Sequence, residues 1–212
     1  TPTHRGMGDQ TTPVKTGQRD LTIGSTSMTN LPKSVCVYCG SRNGVRPSYG
    51  QAANKTGKML ARRGWRLVYG AGDVGLMGRV ADGVQTGVGK TFGVIPTHLL
   101  DQEVGKHDLD TFIITETMHE RKKIMIMNAD AILVLPGGAG SLDEFFEALT
   151  WRQLGLHIKP IFVLNTEGFW TPLLGLIDHL IAEGFADQAI HSFIHVVDDV
   201  AELEISLAAA LS

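Results

Sequence analysis

The chain contains no apolar run near the roughly 18 to 20 residues that a bilayer span requires, and no short apolar core of the kind a secretory signal carries. Basic charge is not in excess: 19 Lys and Arg stand against 22 Asp and Glu, a net charge of −3. Binding to nucleic acid or to an acidic membrane surface needs clustered cations, so neither partner is expected, and the cytoplasm is the expected location. Cysteine is scarce as well. Cys36 and Cys39 form a C-x-x-C spacing, but no second Cys or His pair stands where it would complete a four-ligand zinc site. The segment around them reads as a strand, on which positions three apart face opposite ways, so both read as ordinary thiols, buried or half-buried. The eight histidines are scattered without an H-E-x-x-H pair. Neither a metal nor a cofactor is expected.

What the chain does contain is enough apolar material, 43% of 212 residues, to bury one substantial core. Residues 1–33 are rich in Thr, Gly and Ser with little apolar period, and read as a flexible N-terminal extension. From residue 34 onward, short β-branched runs alternate with helical patterns. Strands are expected at 35–38, 66–69, 91–95, 111–115, 131–135 and 161–164; helices at 49–63, 76–86, 118–128, 142–153, 170–183 and near 200–211. Strands separated by helix-sized segments imply right-handed crossovers, hence a mainly parallel sheet covered on both faces. The expectation for 34–212 is a single α/β domain, Rossmann-like and doubly wound.

Glycines gather where strands would end: Cys39-Gly-Ser-Arg42, the run from Tyr69 to Gly78, and Leu135-Pro-Gly-Gly-Ala-Gly-Ser141. In an open parallel sheet the ligand crevice lies at the carboxyl ends of the strands, so three such loops can converge on one site. In the third loop, glycines bring backbone N–H groups close to an anion and the following helix adds its positive end. The loop has no Walker-type lysine, so ATP hydrolysis is not indicated.

Two segments carry a double meaning. Ser141 and Glu144 fit a capping box, in which both side chains merely satisfy backbone donors; Glu144 also lies beside the glycine loop, on a helix face that Leu142, Phe145, Phe146 and Leu149 leave free of core duty. Thr117 and Glu120 form a second box, and for Glu120 capping is the favoured reading. The cations that follow, Arg121 and Lys122, oppose the dipole at a helix N-terminus, a cost that an anionic ligand would offset.

Met118-His-Glu-Arg-Lys122, Pro136-Gly-Gly-Ala-Gly-Ser-Leu-Asp-Glu144 and Thr150-Trp-Arg-Gln-Leu-Gly155 resemble the M-H-x-R-K, P-G-G-x-G-T-x-x-E and T-W-x-Q-L-G signatures of the Lonely Guy (LOG) family of phosphoribohydrolases. Val68-Tyr-Gly-Ala-Gly-Asp-Val-Gly-Leu-Met-Gly78 and Val94-Ile-Pro96 are similar to its earlier motifs. The resemblance implies a homodimeric enzyme that hydrolyses the N-glycosidic bond of an adenosine 5′-monophosphate, N6-prenylated or plain, to the free base and ribose 5-phosphate. By position it implies Arg121 and Glu144 as the catalytic pair. It implies substrate contacts from Glu103, Lys122, Gly138, Ala139, Gly140, Ser141, Leu142, Asp143 and Thr150. Two residues depart from the pattern: Ser141 stands for the usual Thr, keeping the hydroxyl, and Ala71 stands for a Gly.

Two other functions compete with this expectation. A catalytically silent nucleotide-binding or sensor protein would share the fold. A pyridoxal-phosphate lysine decarboxylase, a label this family has often carried, would need a Schiff-base lysine, and no lysine here has a supporting context.

Overall fold

The computed structural model describes Thr1, residues 31–100 and residues 108–212. Within Pro32–Ser212 seven strands lie side by side: β1 (Ser34–Tyr38), β2 (Arg66–Tyr69), β3 (Thr91–Pro96), β4 (Thr111–Thr115), β5 (Ala131–Val134), β6 (Ile161–Leu164) and β7 (Ile194–Val197). Six helices connect or follow them: α1 (Pro47–Arg62), α2 (Gly75–Thr86), α3 (Met118–Met127), α4 (Ala139–Gln153), α5 (Thr171–Ala182) and α6 (Val200–Leu211).

The strands hold apolar residues on both faces, and the period of two sends alternate side chains into two separate cores. Val35 and Val37 of β1, Leu67 and Tyr69 of β2, and Leu133 of β5 pack with α1, α2 and α6. Cys36, Tyr38, Val68, Ile132 and Val134 pack with α3, α4 and α5. The C-x-x-C pair divides the same way: Cys36 lies in the second core, Cys39 lies in the first, and the two are not joined in a disulfide. Burial, with the carboxylate of Glu144 as a lesser cause, pushes the Cys36 thiol well above its ordinary value, so it stays protonated and apolar in character.

Strand order is β4-β3-β2-β1-β5-β6-β7, with every pairing parallel. The chain winds outward from β1 to one edge, then crosses back to pair β5 with the other side of β1, Val35 opposite Ala131 and Tyr38 opposite Val134. The direction of winding therefore reverses between β1 and β5.

The fold is the doubly wound one expected, with two differences of detail. β7 was not anticipated: it is a short edge strand in which His195 and Val196 are exposed, and its four residues show too little apolar pattern to stand out after the 3₁₀ turn Gln188–Phe193. α4 begins at Ala139 rather than at 142, so the glycine loop itself supplies the first turn of the helix.

Candidate active site

A cavity of about 480 Å³ opens where the winding reverses. In an open α/β sheet this is where the loops after two neighbouring strands diverge and leave a crevice. The loop after β1 contributes Gly40, Ser41, Arg42 and Asn43; the loop after β5 contributes Pro136, Gly137 and Gly138; Arg121 of α3 and Ser141 and Glu144 of α4 complete the polar wall. Leu76, Met77, Leu99, Met118, Met125 and Phe169 make the rest apolar. Phe169 is set edge-on against Tyr49, with ring centroids 5.4 Å apart.

The two central loops touch. Gly40 N–H donates to the Pro136 carbonyl at 3.0 Å, and a Cβ on Gly40 would lie 3.3 Å from Gly137 Cα. A Cβ on Gly137 would lie 2.0 Å from Ser141 Oγ, so the bare backbone at 137 lets the hydroxyl tuck beneath the loop. Gly138 and Gly140 are different: among the described residues nothing lies within 4 Å of where their Cβ atoms would be. No described neighbour demands glycine there, and the bare backbone keeps the approach to the helix N-terminus open.

That N-terminus resolves the double meaning of Ser141 and Glu144. The N-cap of α4 is Gly138, with no side-chain cap, and Ser141 lies inside the first turn. The Ser141–Glu144 capping box does not form. The first-turn amides of Ala139, Gly140 and Ser141, which have no partner within a helix, thus face the cavity mouth without a competing side-chain acceptor from the N-cap. In α3 the opposite holds. Thr117 Oγ1 accepts from Glu120 N–H at 3.2 Å and the Glu120 carboxylate accepts from Thr117 N–H at 3.1 Å, so this box is complete, as the sequence suggested.

Arg121 is only 4% exposed. Its Nη2 donates to the Gly70 carbonyl at 2.7 Å and its Nε to the Val94 carbonyl at 3.1 Å, which anchors the guanidinium across the ends of β2 and β3 while it still lines the cavity. Gly70 is required for this, since a Cβ there would lie 2.1 Å from Nη2. The next residue, Ala71, has φ 58° and is fully buried. A glycine would take that left-handed conformation without the roughly 1–2 kcal/mol an L side chain pays. The Ala71 methyl is accommodated by Gly93 on β3, whose own Cβ would lie 2.6 Å from it.

Lys122, equally buried, turns elsewhere. Its Nζ pairs with Glu147 at 2.7 Å and Asp143 at 2.9 Å, tying α3 to α4. Burial alone would lower the ammonium's pKa, but the hydrogen bonds and charges of Glu147 and Asp143 outweigh it, and the net shift is upward. The cation expected beside the glycine loop is neutralised by carboxylates of the chain itself.

A family model described as "possible lysine decarboxylase" matches residues 77–207. A probable cytokinin riboside 5′-monophosphate phosphoribohydrolase of Oryza sativa subsp. japonica is 44% identical over 171 residues, covering 81% of this chain and 74% of the relative. A cytokinin riboside 5′-monophosphate phosphoribohydrolase of Rhodococcoides fascians is 43% identical over 170 residues, 80% of this chain and 86% of the relative. The chain belongs to the LOG phosphoribohydrolase family. Among solved structures, the molybdenum cofactor carrier protein of Chlamydomonas reinhardtii superposes with a TM-score of 0.67 at 23% identity, over 85% of this chain and 99% of that one; it shares the fold.

Of the positions the LOG motifs single out, the structure brings Arg121, Gly138, Ala139, Gly140, Ser141 and Glu144 to one cavity. It does not bring Lys122, Leu142, Asp143 or Thr150 there. Lys122 and Asp143 pair with each other, Leu142 packs half-buried against the second core, and Thr150 is exposed further along α4. Glu103 lies outside the described residues. In the loop after β1 the sequence marks only a strand end, by the glycine of Cys39-Gly-Ser-Arg42; that Ser41, Arg42 and Asn43 reach the cavity follows from β1 bordering the reversal, which local sequence does not display.

Proposed function

We propose that the chain hydrolyses the N-glycosidic bond of a nucleoside 5′-monophosphate, with an adenine-type base, releasing the base and ribose 5-phosphate. One observation carries this reading: a single cavity holds an uncapped helix N-terminus, an anchored arginine and a carboxylate, the groups that a phosphate and a cleaving ribosyl bond require. Curated LOG relatives that match four-fifths of the chain carry the corresponding activity in their names.

The chemistry follows from the charges. Breaking a ribosyl C–N bond builds positive charge on the anomeric carbon and ring oxygen. Glu144, one turn into α4 from the phosphate-binding amides, stabilises that charge and directs the attacking water. A guanidinium is a poor proton donor, so the part of Arg121 is positioning and charge balance. The apolar wall of Leu76, Met77, Leu99, Met118 and Phe169 receives the base. A pyridoxal-phosphate decarboxylase does not fit these residues: among the described residues no lysine lines the cavity, and Lys122 is held by two carboxylates.

The enzyme is also proposed to act as a homodimer. Met127 at the end of α3 and Leu154, Leu156 and Ile158 after α4 are each more than half exposed, and Lys159 donates to the Ala129 carbonyl, which sets the 156–158 segment beside the end of α3. Such an apolar surface is the usual material of a subunit contact.

Incubation with AMP followed by chromatography tests the activity. Adenine and ribose 5-phosphate should appear in equal amounts, with kcat/KM for AMP on the order of a hundredfold to ten-thousandfold above that for adenosine, because two charge-assisted contacts to phosphate are each worth about 1.5–3 kcal/mol. Binding of AMP without release of base would favour the silent nucleotide-binding alternative.

A further inference from the structure

A phosphate dianion at the first turn of α4 calls for a cation beside the amides, and the sequence points to Lys122. Lys122 is closed off by Glu147 and Asp143, and two donors of Arg121 are committed to backbone carbonyls. One other cationic side chain lines the cavity among the described residues: Arg42, in the loop after β1. It is exposed, and it makes no ion pair or side-chain hydrogen bond among the described residues.

The loop that carries it, by contrast, is held from two sides at Gly40. Gly40 N–H donates to Pro136 O at 3.0 Å and Gly40 O accepts from Leu76 N–H at 2.9 Å, clamping the loop between the glycine loop after β5 and the start of α2. Gly75, at φ 59°, presses closely enough that a Cβ on it would lie 2.3 Å from Arg42 N and 2.2 Å from the Ser41 carbonyl carbon. A loop held in this way, carrying a guanidinium into the cavity that the first-turn residues of α4 also line, is suited to binding an anion there.

We infer that Arg42, which lines the same cavity as the first turn of α4, is the phosphate-neutralising cation of this site, and that it sets the preference for a phosphorylated over an unphosphorylated nucleoside. The inference rests on the phosphoribohydrolase reading for its substrate. The planar guanidinium suits the task, since it meets phosphate oxygens two at a time. Anchoring Arg42 to the fixed loop lets it add electrostatic attraction to the amide contacts without reorganising the backbone.

The test compares wild type with Arg42→Gln and Arg42→Lys on AMP and on adenosine, and measures ribose 5-phosphate binding by calorimetry. Arg42→Gln should lower kcat/KM for AMP on the order of 10- to 100-fold, chiefly through KM, leave the weak adenosine rate unchanged, and weaken ribose 5-phosphate by a similar factor. Arg42→Lys should recover part of both. Equal losses on AMP and adenosine, or full affinity for ribose 5-phosphate in Arg42→Gln, would overturn the role of Arg42. Failure of the wild type to hydrolyse AMP would instead reject the phosphoribohydrolase reading, and the ribose 5-phosphate titration would still decide for or against Arg42.

Discussion

Single residues at this site were ambiguous for a physical reason: the same side chains that bind ligands at a helix N-terminus also cap it. Ser141 and Glu144 have the spacing of a capping box, and only the position of the first turn decides whether they act as one. Because α4 starts at Ala139, Glu144 lies one turn too deep to cap, and its carboxylate lines the cavity instead. Replacing it with Gln keeps the shape and a hydrogen-bonding group while removing the charge. The expected result is a fall in kcat on the order of a hundredfold or more with the melting temperature nearly unchanged. Steady-state kinetics beside thermal denaturation check this, and near-normal turnover in Glu144→Gln would remove Glu144 from the chemistry. Lys122 carries the complementary lesson. A buried lysine near a phosphate loop reads as a ligand in one dimension, but Asp143 and Glu147 reach it from the neighbouring helix, a pairing that local sequence spacing does not reveal.

Among elements, α1 and α2 are set unusually close on one face of the sheet. Gly57 and Gly83 oppose each other: a Cβ on Gly83 would lie 2.3 Å from the Asn54 carbonyl oxygen, and one on Gly57 would lie 2.1 Å from the Val80 oxygen. In both cases the obstacle is backbone, which cannot rotate away. Gly83→Ala should therefore destabilise the fold by about 1–3 kcal/mol, an overpacking cost, even though alanine is the better helix former. Gly175, exposed on α5, has no described residue within 4 Å of its Cβ position, and Gly175→Ala should stabilise by roughly 0.5–1 kcal/mol. Denaturant melts of the two variants test the contrast, and a Gly83→Ala protein as stable as the parent would show that the helices can separate at no cost. The same pair shows what the sequence displayed and what it hid. Six strands and six helices were legible because continuous apolar runs such as Ile132–Val134 and helical stripes such as Phe145, Ala148 and Leu149 are strong local signals. The close approach of α1 and α2 was not, because a glycine inside a helix looks the same whether it is packed against or merely tolerated.

At the scale of the whole molecule, the crevice follows from strand order, and strand order is a long-range property: β1 and β5 become neighbours across nearly a hundred residues. The three glycine loops could be placed at strand ends from the sequence, but that the first and third meet while Arg121 spans the second required the reversal between β1 and β5. Global stability also has a defined response to pH, set by one local arrangement. His157, in the connection between α4 and β6, has Nδ1 accepting from Lys159 N–H at 3.1 Å, which leaves Nε2 to donate to the Ala148 carbonyl at 2.9 Å. The neutral ring is thus satisfied on both nitrogens. Its pKa is held below the ordinary 6.5, by burial first and then by the nearby cations Lys159 and Arg152, against the opposing hydrogen bond to Ala148. A histidine that is harder to protonate folded than unfolded makes the unfolded state bind more protons, so stability rises with pH across that interval. Its contribution is intact above about pH 6.5 and is lost as pH falls through the lower, folded value. Asp110 and Glu204, whose carboxyls are held below their ordinary values chiefly by Lys90 and Arg63 respectively, lose their smaller surface contributions only further into acid. Melting temperature should therefore be flat from pH 8 to about 7 and decline toward about pH 5.5, and His157→Gln, which cannot titrate, should flatten that first decline while leaving the acid limb in place. An unaltered slope between about pH 7 and 5.5 in His157→Gln would assign the loss to another group.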